Sequence, residues 1–167
     1  GARAHTPLPV LGAMFRTWGE RARVPVVAHL DHGESLAVCA EAIACGFTSV
    51  MYDGSALPLT ENIARTAEVV TMAHGLDVSV EGELGFVGYA AGVGRSGAPS
   101  LGTDPAEVAQ FAAQTGVDAL AISVGNSHLM TEVGAQIDWP RLWAIQAAVP
   151  TLALVLHGGS GLDHALR

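Results

Sequence analysis

Basic residues and long apolar runs are both scarce in this sequence. The 167 residues include 8 Lys and Arg against 16 Asp and Glu, which gives a net charge of −8. Because such a surface repels phosphate-rich polymers and anionic lipid, we expect neither nucleic acid nor a membrane as a partner. No apolar run reaches the roughly 18 residues that cross a bilayer, and no secretory signal heads the sequence, so we expect no membrane span.

Cysteine is equally rare, with Cys39 and Cys45 as the two thiols. They lie six positions apart in a stretch of helical periodicity, which places them on different faces of a helix. That spacing excludes a disulfide between them and a Cys-x-x-Cys metal pair. We therefore expect two core or half-buried thiols in a reducing cytoplasm.

Hydrophobic residues are plentiful instead. They make up 50% of the sequence and charged residues 14%, a balance typical of a folded globular chain. A length of 167 residues suffices for one hydrophobic core and is short for two. We predict a single domain over residues 1–167.

Short apolar segments alternate with segments of helical periodicity. The predicted strands are 24–30, 47–52, 77–84, 117–124 and 151–156, and the predicted helices are 10–21, 34–45, 60–74, 104–114 and 140–148, with another from 162. Residues 85–102, which contain six glycines, predict a long mobile loop. The alternation predicts an α/β fold with a parallel sheet and helices outside it. A complete (β/α)₈ TIM barrel needs about 250 residues, so we predict an incomplete one.

A doubly wound open sheet is the alternative fold. The sequence has no G-x-G-x-x-G after a first strand and no Walker A motif, so the nucleotide sites typical of that fold are missing. This absence favours the barrel.

Every predicted strand is followed by an acid, an imidazole or both. These residues are Asp31 and His32, then Asp53, Glu83, His128 and His157. In a β/α barrel the loops after the strands share one rim, so these side chains should meet. Three imidazoles can bind Zn²⁺ and leave one position open for a substrate oxygen, and such a metal polarises a carbonyl and stabilises an enediolate. The two carboxylates Asp53 and Glu83 suit a second or displaced metal position, and Asp31 is placed for proton transfer.

A plainer interpretation of the first strand end is that Asp31 caps the next helix and His32 is a satisfied loop histidine. The recurrence of acids and imidazoles after the later strands argues against that interpretation. We expect His29 to point to the opposite strand face from Asp31 and to support the site indirectly.

The last strand is followed by a glycine-rich segment, Gly158, Gly159 and Ser160. Consecutive glycines before a helix expose backbone N–H groups to an anion, and the serine supplies a hydroxyl. In barrels the loops after strands seven and eight commonly bind phosphate. A metal beside such a loop indicates a phosphorylated carbonyl substrate.

Five blocks of the sequence together resemble one enzyme family, the class II, zinc-dependent ketose-bisphosphate aldolases, which includes fructose- and tagatose-bisphosphate aldolases. The blocks are Ala-His-Leu-Asp-His-Gly33, Phe-Thr-Ser-Val-Met-Tyr-Asp53-Gly-Ser, Val-Glu-Gly-Glu-Leu-Gly85, Thr-Gly-Val-Asp-Ala-Leu-Ala121 and Leu-His-Gly-Gly-Ser-Gly161. They cover nearly the whole sequence. The resemblance implies that this chain corresponds to strands three to seven of the family barrel.

The resemblance also implies a role for each rim residue. His32, His128 and His157 resemble the catalytic zinc ligands, and Asp31 the acid that protonates the aldehyde oxygen during condensation. The carboxylates of Asp53 and Glu83 resemble those of an additional or alternative metal position, and a second divalent or a monovalent cation is also implied. The segment 158–160 matches the loop that holds the phosphate of dihydroxyacetone phosphate.

The implied reaction is reversible cleavage of a ketose 1,6-bisphosphate to dihydroxyacetone phosphate and glyceraldehyde 3-phosphate. The implied enzyme is cytoplasmic and a homo-oligomer, either a dimer or a tetramer. Fructose and tagatose bisphosphate both remain open as the substrate.

Three features depart from the family pattern. Leu129 stands where the family usually has a Gly that contacts substrate or a monovalent cation. Residues 88–92 contain no acid, although the family carries there the residue that takes the substrate proton, so the base stays unassigned. The first two family strands, and the Asn-containing strand after the phosphate loop, are absent.

Two alternative functions stay open. A truncated or divergent non-catalytic homologue is favoured by these departures. A metal-dependent barrel hydrolase would use the same ligands to activate water, but the phosphate loop and the lack of a His-x-His pair on a first strand disfavour it.

Overall fold

Five parallel strands in chain order form the centre of the fold. The computed structural model describes residue 3 and residues 5–89, 101–130 and 134–163. The helices are α1 Leu8–Arg21, α2 Leu36–Ala44, α3 Leu59–His74, α4 Pro105–Thr115 and α5 Trp139–Ala148. The strands are β1 His29–Gly33, β2 Ser49–Tyr52, β3 Ser79–Leu84, β4 Ala119–Ile122 and β5 Ala153–Val155, followed by a 3₁₀ turn, Gly159–Gly161.

The strand order decides between the two candidate folds. Each strand pairs in parallel with the strand that follows it in the chain, in the order β1-β2-β3-β4-β5. A doubly wound sheet reverses its strand order at a switch point, whereas a β/α barrel does not. The prediction of an incomplete β/α barrel is therefore confirmed.

The two faces of the sheet differ in chemistry. On the face covered by the helices, Val50, Leu120, Ile122 and Phe111 are fully buried in one hydrophobic cluster. On the other face, Glu81 lies in register with Met51 and Ala119, so a carboxylate lies among apolar side chains on that surface. The second surface is the interior of the barrel, and its upper edge is the rim on which the candidate site lies.

The first strand begins later than predicted. The segment 24–30 was expected to be a strand packed on both faces, but the strand is His29–Gly33, and Val24 and Val27 are 67% and 66% exposed. Pro25 cannot donate to a ladder, and backbone pairing with β2 starts only at Ala28. The strand therefore includes Asp31, His32 and Gly33, which follow the end of the predicted strand.

Side chains at the helix starts fix the loops above the strands. Ser35 caps α2 by accepting from the Val38 N–H, so the interpretation of Asp31 as that cap is wrong. Asp104 caps α4 by accepting from the Ala106 N–H.

The loop predicted at 85–102 is closed at its base, because Phe86 and Leu101 exchange both backbone hydrogen bonds. Residues 90–100 lie outside the described residues, as do 164–167, where a further helix was predicted. Both cysteines are free thiols, as predicted. Among the described helices, none is long and apolar enough to cross a membrane.

Candidate metal centre

An irregularity in β1 turns His32 towards the barrel interior. Leu30 pairs with Val50 and Gly33 with Tyr52, so β1 carries one extra residue between these pairs. His32 takes up this difference with a φ of 49°, a left-handed conformation that costs a non-glycine residue roughly 1–2 kcal/mol. Regular alternation would have sent Asp31 and His32 to opposite faces, whereas this bulge brings both to the rim.

Three imidazoles meet at that rim, as the sequence analysis predicted. The ring centroid of His32 lies 5.0 Å from that of His128 and 4.7 Å from that of His157, and the last two are 5.7 Å apart. One ring nitrogen of each lies within 4.8 Å of those of the others. They come from three separate strand ends, so only the folded sheet forms this cluster.

A buried amide that the sequence analysis missed ties two of these strand ends together. Asn126 is fully buried, and its amide donates to the carbonyls of Ile122 and His157 at 3.2 and 2.9 Å while its oxygen accepts from the Val124 N–H. It therefore joins the turn that carries His128 to the end of β5. The polar turn after β4, which contains Asn126, is the sequence feature that could have indicated this role.

Two carboxylates lie against the opposite side of His32. Asp53 Oδ2 accepts from His32 Nδ1 at 2.8 Å, and Glu83 Oε2 lies 3.6 Å from the same nitrogen. Ser55 donates its backbone N–H and its hydroxyl to Asp53 Oδ1 at 3.2 and 2.6 Å. His32, Asp53 and Glu83 also form a group whose ligand atoms lie within 4.8 Å of one another. The second predicted metal position is thus adjacent to the first.

Asp31 occupies the open side of the cluster. Its side chain is 70% exposed, and its Oδ1 lies 3.6 Å from His32 Nε2 and 3.8 Å from His157 Nδ1. Arg3 donates to the carbonyls of Asp31 and His32 at 3.3 and 2.6 Å, a contact that the sequence did not indicate. An accessible carboxylate beside two imidazoles is suited to exchange protons with a ligand at the rim.

The prediction that His29 faces away from Asp31 is wrong. The two are two positions apart in a strand and share the inner face, where His29 Nδ1 lies 2.8 Å from Ser49 Oγ and His29 Nε2 3.7 Å from Glu81 Oε2. Glu81 in turn accepts from His157 Nε2 at 2.8 Å. The sequence analysis assigned no role to Glu81.

Burial and pairing move the pKa values of the acids in opposite directions. Burial raises the pKa of Glu83 to about 8, and the nearby charge of Asp53 adds to this rise. Burial also works to raise the pKa of Asp53, but hydrogen bonds from His32 and Ser55 outweigh it and hold that pKa at about 2. Asp53 is therefore the stronger acid of the two.

The imidazole pKa values depend on whether a carboxylate compensates for burial. Burial lowers the pKa of His32, but its hydrogen bond to Asp53 and the nearby acids raise it above the ordinary value. The pKa of His157 is raised in the same way through Glu81. Burial lowers the pKa of His128, and the charges of the other two imidazoles lower it further.

The residues of the rim fit a bound cation. Among the described residues, His32 Nε2 and Glu83 Oε2 are buried without a hydrogen-bond partner. Each such unsatisfied group costs about 1–3 kcal/mol, and a cation accepts lone pairs from both. Three imidazoles with one open position suit zinc, and carboxylates suit harder divalent ions.

The predicted phosphate loop is packed against the turn that carries His128. Gly158 has a φ of 72°, and a Cβ there would collide with the Ser127 carbonyl oxygen. The 3₁₀ turn Gly159–Gly161 follows, with Ser160 at the surface.

Leu129 adopts a φ of 56° and is 53% exposed. That left-handed conformation is one that glycine adopts freely. Residues 90–92 of the segment that lacks an acid lie outside the described residues.

Comparisons with known proteins give matches to aldolases. A sequence model of the family described as class-II fructose-bisphosphate aldolase matches residues 1–166. The 6-phospho-5-dehydro-2-deoxy-D-gluconate aldolase of Shouchella clausii (strain KSM-K16) is 42% identical over 159 residues, which are 94% of this chain and 52% of that protein.

Two crystal structures of aldolases share the fold. The YdjI aldolase from Escherichia coli K12 superposes with a TM-score of 0.82 at 34% identity, over 97% of this chain and 55% of that one. The fructose-bisphosphate aldolase from Campylobacter jejuni gives a TM-score of 0.67 at 26% identity, over 92% and 50% of the two chains. The chain spans about half the length of these relatives.

Proposed function

Because this chain belongs to the class II fructose-bisphosphate aldolase family, we propose that it acts in metal-dependent aldol cleavage. The proposed reaction is reversible cleavage of a ketose 1,6-bisphosphate, of fructose or tagatose, to dihydroxyacetone phosphate and glyceraldehyde 3-phosphate. The observation that carries the proposal is the convergence of three imidazoles from separate strand ends, with a buried unpartnered nitrogen on His32.

Zinc is the cation that we propose for the three imidazoles of His32, His128 and His157, because nitrogen ligands with one open position suit it. When bound, it would polarise the substrate carbonyl and stabilise negative charge on the carbonyl oxygen. Asp53 and Glu83 would hold an additional or alternative cation position, since both lie against His32. Glu83 would then bind as the carboxylate, because a nearby cation lowers the pKa that burial raises.

Asp31 is the residue that we assign to proton transfer at the aldehyde oxygen. Its carboxyl group is 70% exposed at the rim, where Oδ1 lies 3.6 Å from His32 Nε2 and 3.8 Å from His157 Nδ1. Gly158, Gly159 and Ser160 are the proposed phosphate contacts, because they adjoin the turn that carries His128.

The composition of the chain supports a metal over a Schiff base. Aldol chemistry can also proceed through an imine formed by a lysine amine. None of the 167 residues is lysine, so no side chain of this chain can form that imine. The rim offers imidazoles and carboxylates, which are metal ligands.

A second substrate is favoured by one specific relative. The aldolase from Shouchella clausii, 42% identical, acts by its name on 6-phospho-5-dehydro-2-deoxy-D-gluconate. That compound and the ketose bisphosphates all carry phosphate. A panel of the three substrates, assayed for triose phosphate release, separates them by kcat/KM.

A homo-oligomer, dimer or tetramer, is the proposed assembly. Val10, Met14 and Trp18 are exposed at four-residue intervals along α1, and Trp143 is 62% exposed on α5. Exposed apolar stripes of this kind commonly mark association surfaces. Light scattering after size exclusion gives the state, and a monomer at micromolar concentration contradicts the proposal. The free thiols agree with a cytoplasmic location, which we also propose.

The function is tested by zinc titration and cleavage assays on wild type, on His128→Ala and on His74→Gln. His74 is a matched control, because it pairs with Asp118 at the far end of α3. We expect about one zinc per chain and cleavage in wild type and in His74→Gln, and weaker zinc binding with loss of cleavage in His128→Ala. Zinc uptake without cleavage of any of the three substrates would reject the aldolase function, and no zinc uptake by wild type would reject the metal centre.

A further inference from the structure

We propose that Glu81 is a positioning residue for the metal centre: its carboxylate holds the His157 ring by Nε2 and thereby leaves Nδ1 to bind the cation. This inference rests on the proposed function and deepens it. Glu81 Oε1 lies 2.8 Å from His157 Nε2, and the Glu81 side chain is 9% exposed. The contact joins β3 to the end of β5, 76 residues later in the chain.

The direction of this hydrogen bond determines which nitrogen can bind a metal. An ionised carboxylate only accepts hydrogen bonds, so Nε2 must carry the proton. In the neutral ring the lone pair then lies on Nδ1, which is 3.8 Å from Asp31 Oδ1 on the rim. His157 is also a member of the group of imidazoles whose ligand atoms converge within 4.8 Å. The hydrogen bond therefore both orients the ring and selects its ligating nitrogen.

His32 is held by the opposite nitrogen. Its Nδ1 donates to Asp53 Oδ2 at 2.8 Å, and its Nε2 is buried without a partner. Asp53 thus fixes Nδ1 of His32, and Glu81 fixes Nε2 of His157. Metal-binding histidines commonly donate their second N–H to a carboxylate, and losing that partner typically lowers metal affinity about 10- to 100-fold.

Glu81 itself is not placed to be a ligand. Two groups of side chains in the described part of the chain have ligand atoms that converge within 4.8 Å, and Glu81 belongs to neither. It is in register with the buried Met51 and lies two residues before Glu83 on the same face of β3, so Glu81 lies below the rim and not on it.

A second pair of residues, His29 and Ser49, lies next to Glu81. Glu81 Oε2 lies 3.7 Å from His29 Nε2, and His29 Nδ1 lies 2.8 Å from Ser49 Oγ. Ser49 is itself buried on β2. His29 and Ser49 therefore lie beside Glu81 in the barrel interior, and the hydrogen bond from His157 is the contact that joins Glu81 to the metal centre.

The test measures zinc affinity, by competition with a chromophoric chelator, for wild type, Glu81→Ala, Glu81→Gln and Met51→Ala. Met51→Ala is the matched control, because it removes a buried side chain beside Glu81 without touching the His157 bond. We expect affinity to fall about 10- to 100-fold in Glu81→Ala. We expect a smaller fall in Glu81→Gln, whose amide oxygen still accepts from Nε2, and no change in Met51→Ala beyond lower stability.

Two further measurements separate positioning from general loss of structure. The visible spectrum of the cobalt-substituted protein should change in Glu81→Ala and stay the same in Met51→Ala, because only the former changes ligand geometry. In the metal-free wild type, NMR should show an exchange-protected His157 Nε2–H proton that is lost in Glu81→Ala. If Glu81→Ala does not fold, the comparison rests on Glu81→Gln, whose spectrum should differ from wild type.

Unchanged zinc affinity in Glu81→Ala overturns the positioning role and leaves the proposed aldolase function intact. An equal loss in Met51→Ala also overturns it, because general packing would then explain the effect. If wild type takes up no zinc, both proposals fail, and the NMR signal then shows whether the Glu81 bond exists without a metal role.

Discussion

Replacing Asn126 by alanine should both destabilise the fold and weaken the metal centre. The side chain is fully buried and makes three hydrogen bonds, two as donor and one as acceptor. A buried hydrogen bond contributes about 1 kcal/mol net, and unsatisfied partners add to the loss, so we expect about 3 kcal/mol less stability. For a protein of 167 residues this lowers Tm by about 6–12 °C.

The assay is urea unfolding of the metal-free protein, followed by zinc titration of the folded variant. Because the amide anchors the His157 carbonyl to the turn that carries His128, zinc affinity should fall as well. Thr115→Val is a matched control at the end of α4, because it removes a buried hydroxyl that donates to the Phe111 carbonyl at 2.8 Å and accepts from the Val117 N–H at 3.5 Å. It should cost about 1 kcal/mol and leave zinc affinity unchanged. A loss below about 1 kcal/mol in the Asn126 variant would refute this account of the site.

Three further predictions concern charge, thiols and metal. Burial works to raise the pKa of Asp118, but the Val80 N–H and His74 together lower it, so its contribution to stability is present above about pH 4 and lost below. We expect Asp118→Asn to cost about 0.5 kcal/mol in urea unfolding at pH 7 and less at pH 3; a constant difference would contradict this. Burial raises the pKa of the Cys39 thiol to about 11, so a thiol reagent should label half-buried Cys45 first and Cys39 only on unfolding; equal rates would contradict the described burial. Zinc at 100 times its Kd should stabilise the fold by about 2.7 kcal/mol in thermal or urea unfolding, an effect that a chelator reverses and that no Tm change would contradict.

The order of elements could be predicted from the sequence because each has a local signature. The Asp104 cap and Pro105 mark the start of α4, and the helices end within a few residues of the predicted positions. The start of β1 could not be predicted from composition, because the apolar segment around Pro25 has the residues of a strand. Where the strand begins depends on where β2 starts to pair with it, and that pairing begins at Ala28.

The ligand cluster could be predicted because strand ends in a β/α barrel share one rim. The residues that hold this cluster in place could not be predicted. Asn126 and Glu81 act over long sequence distances, so no local pattern marks them. The prediction for His29 was wrong because residues two apart in a regular strand, such as His29 and Asp31, point to the same face. The bulge that reverses the direction of the side chains lies at His32, after both of them.

The central claim is that three imidazoles on the rim hold the cation used for aldol cleavage. X-ray absorption at the zinc edge of the wild-type protein tests it most directly. We predict three nitrogen neighbours at about 2.0–2.1 Å, the distance of zinc from histidine, and one fewer in His128→Ala. A shell of oxygen neighbours alone, or a spectrum that His128→Ala leaves unchanged, would contradict the claim.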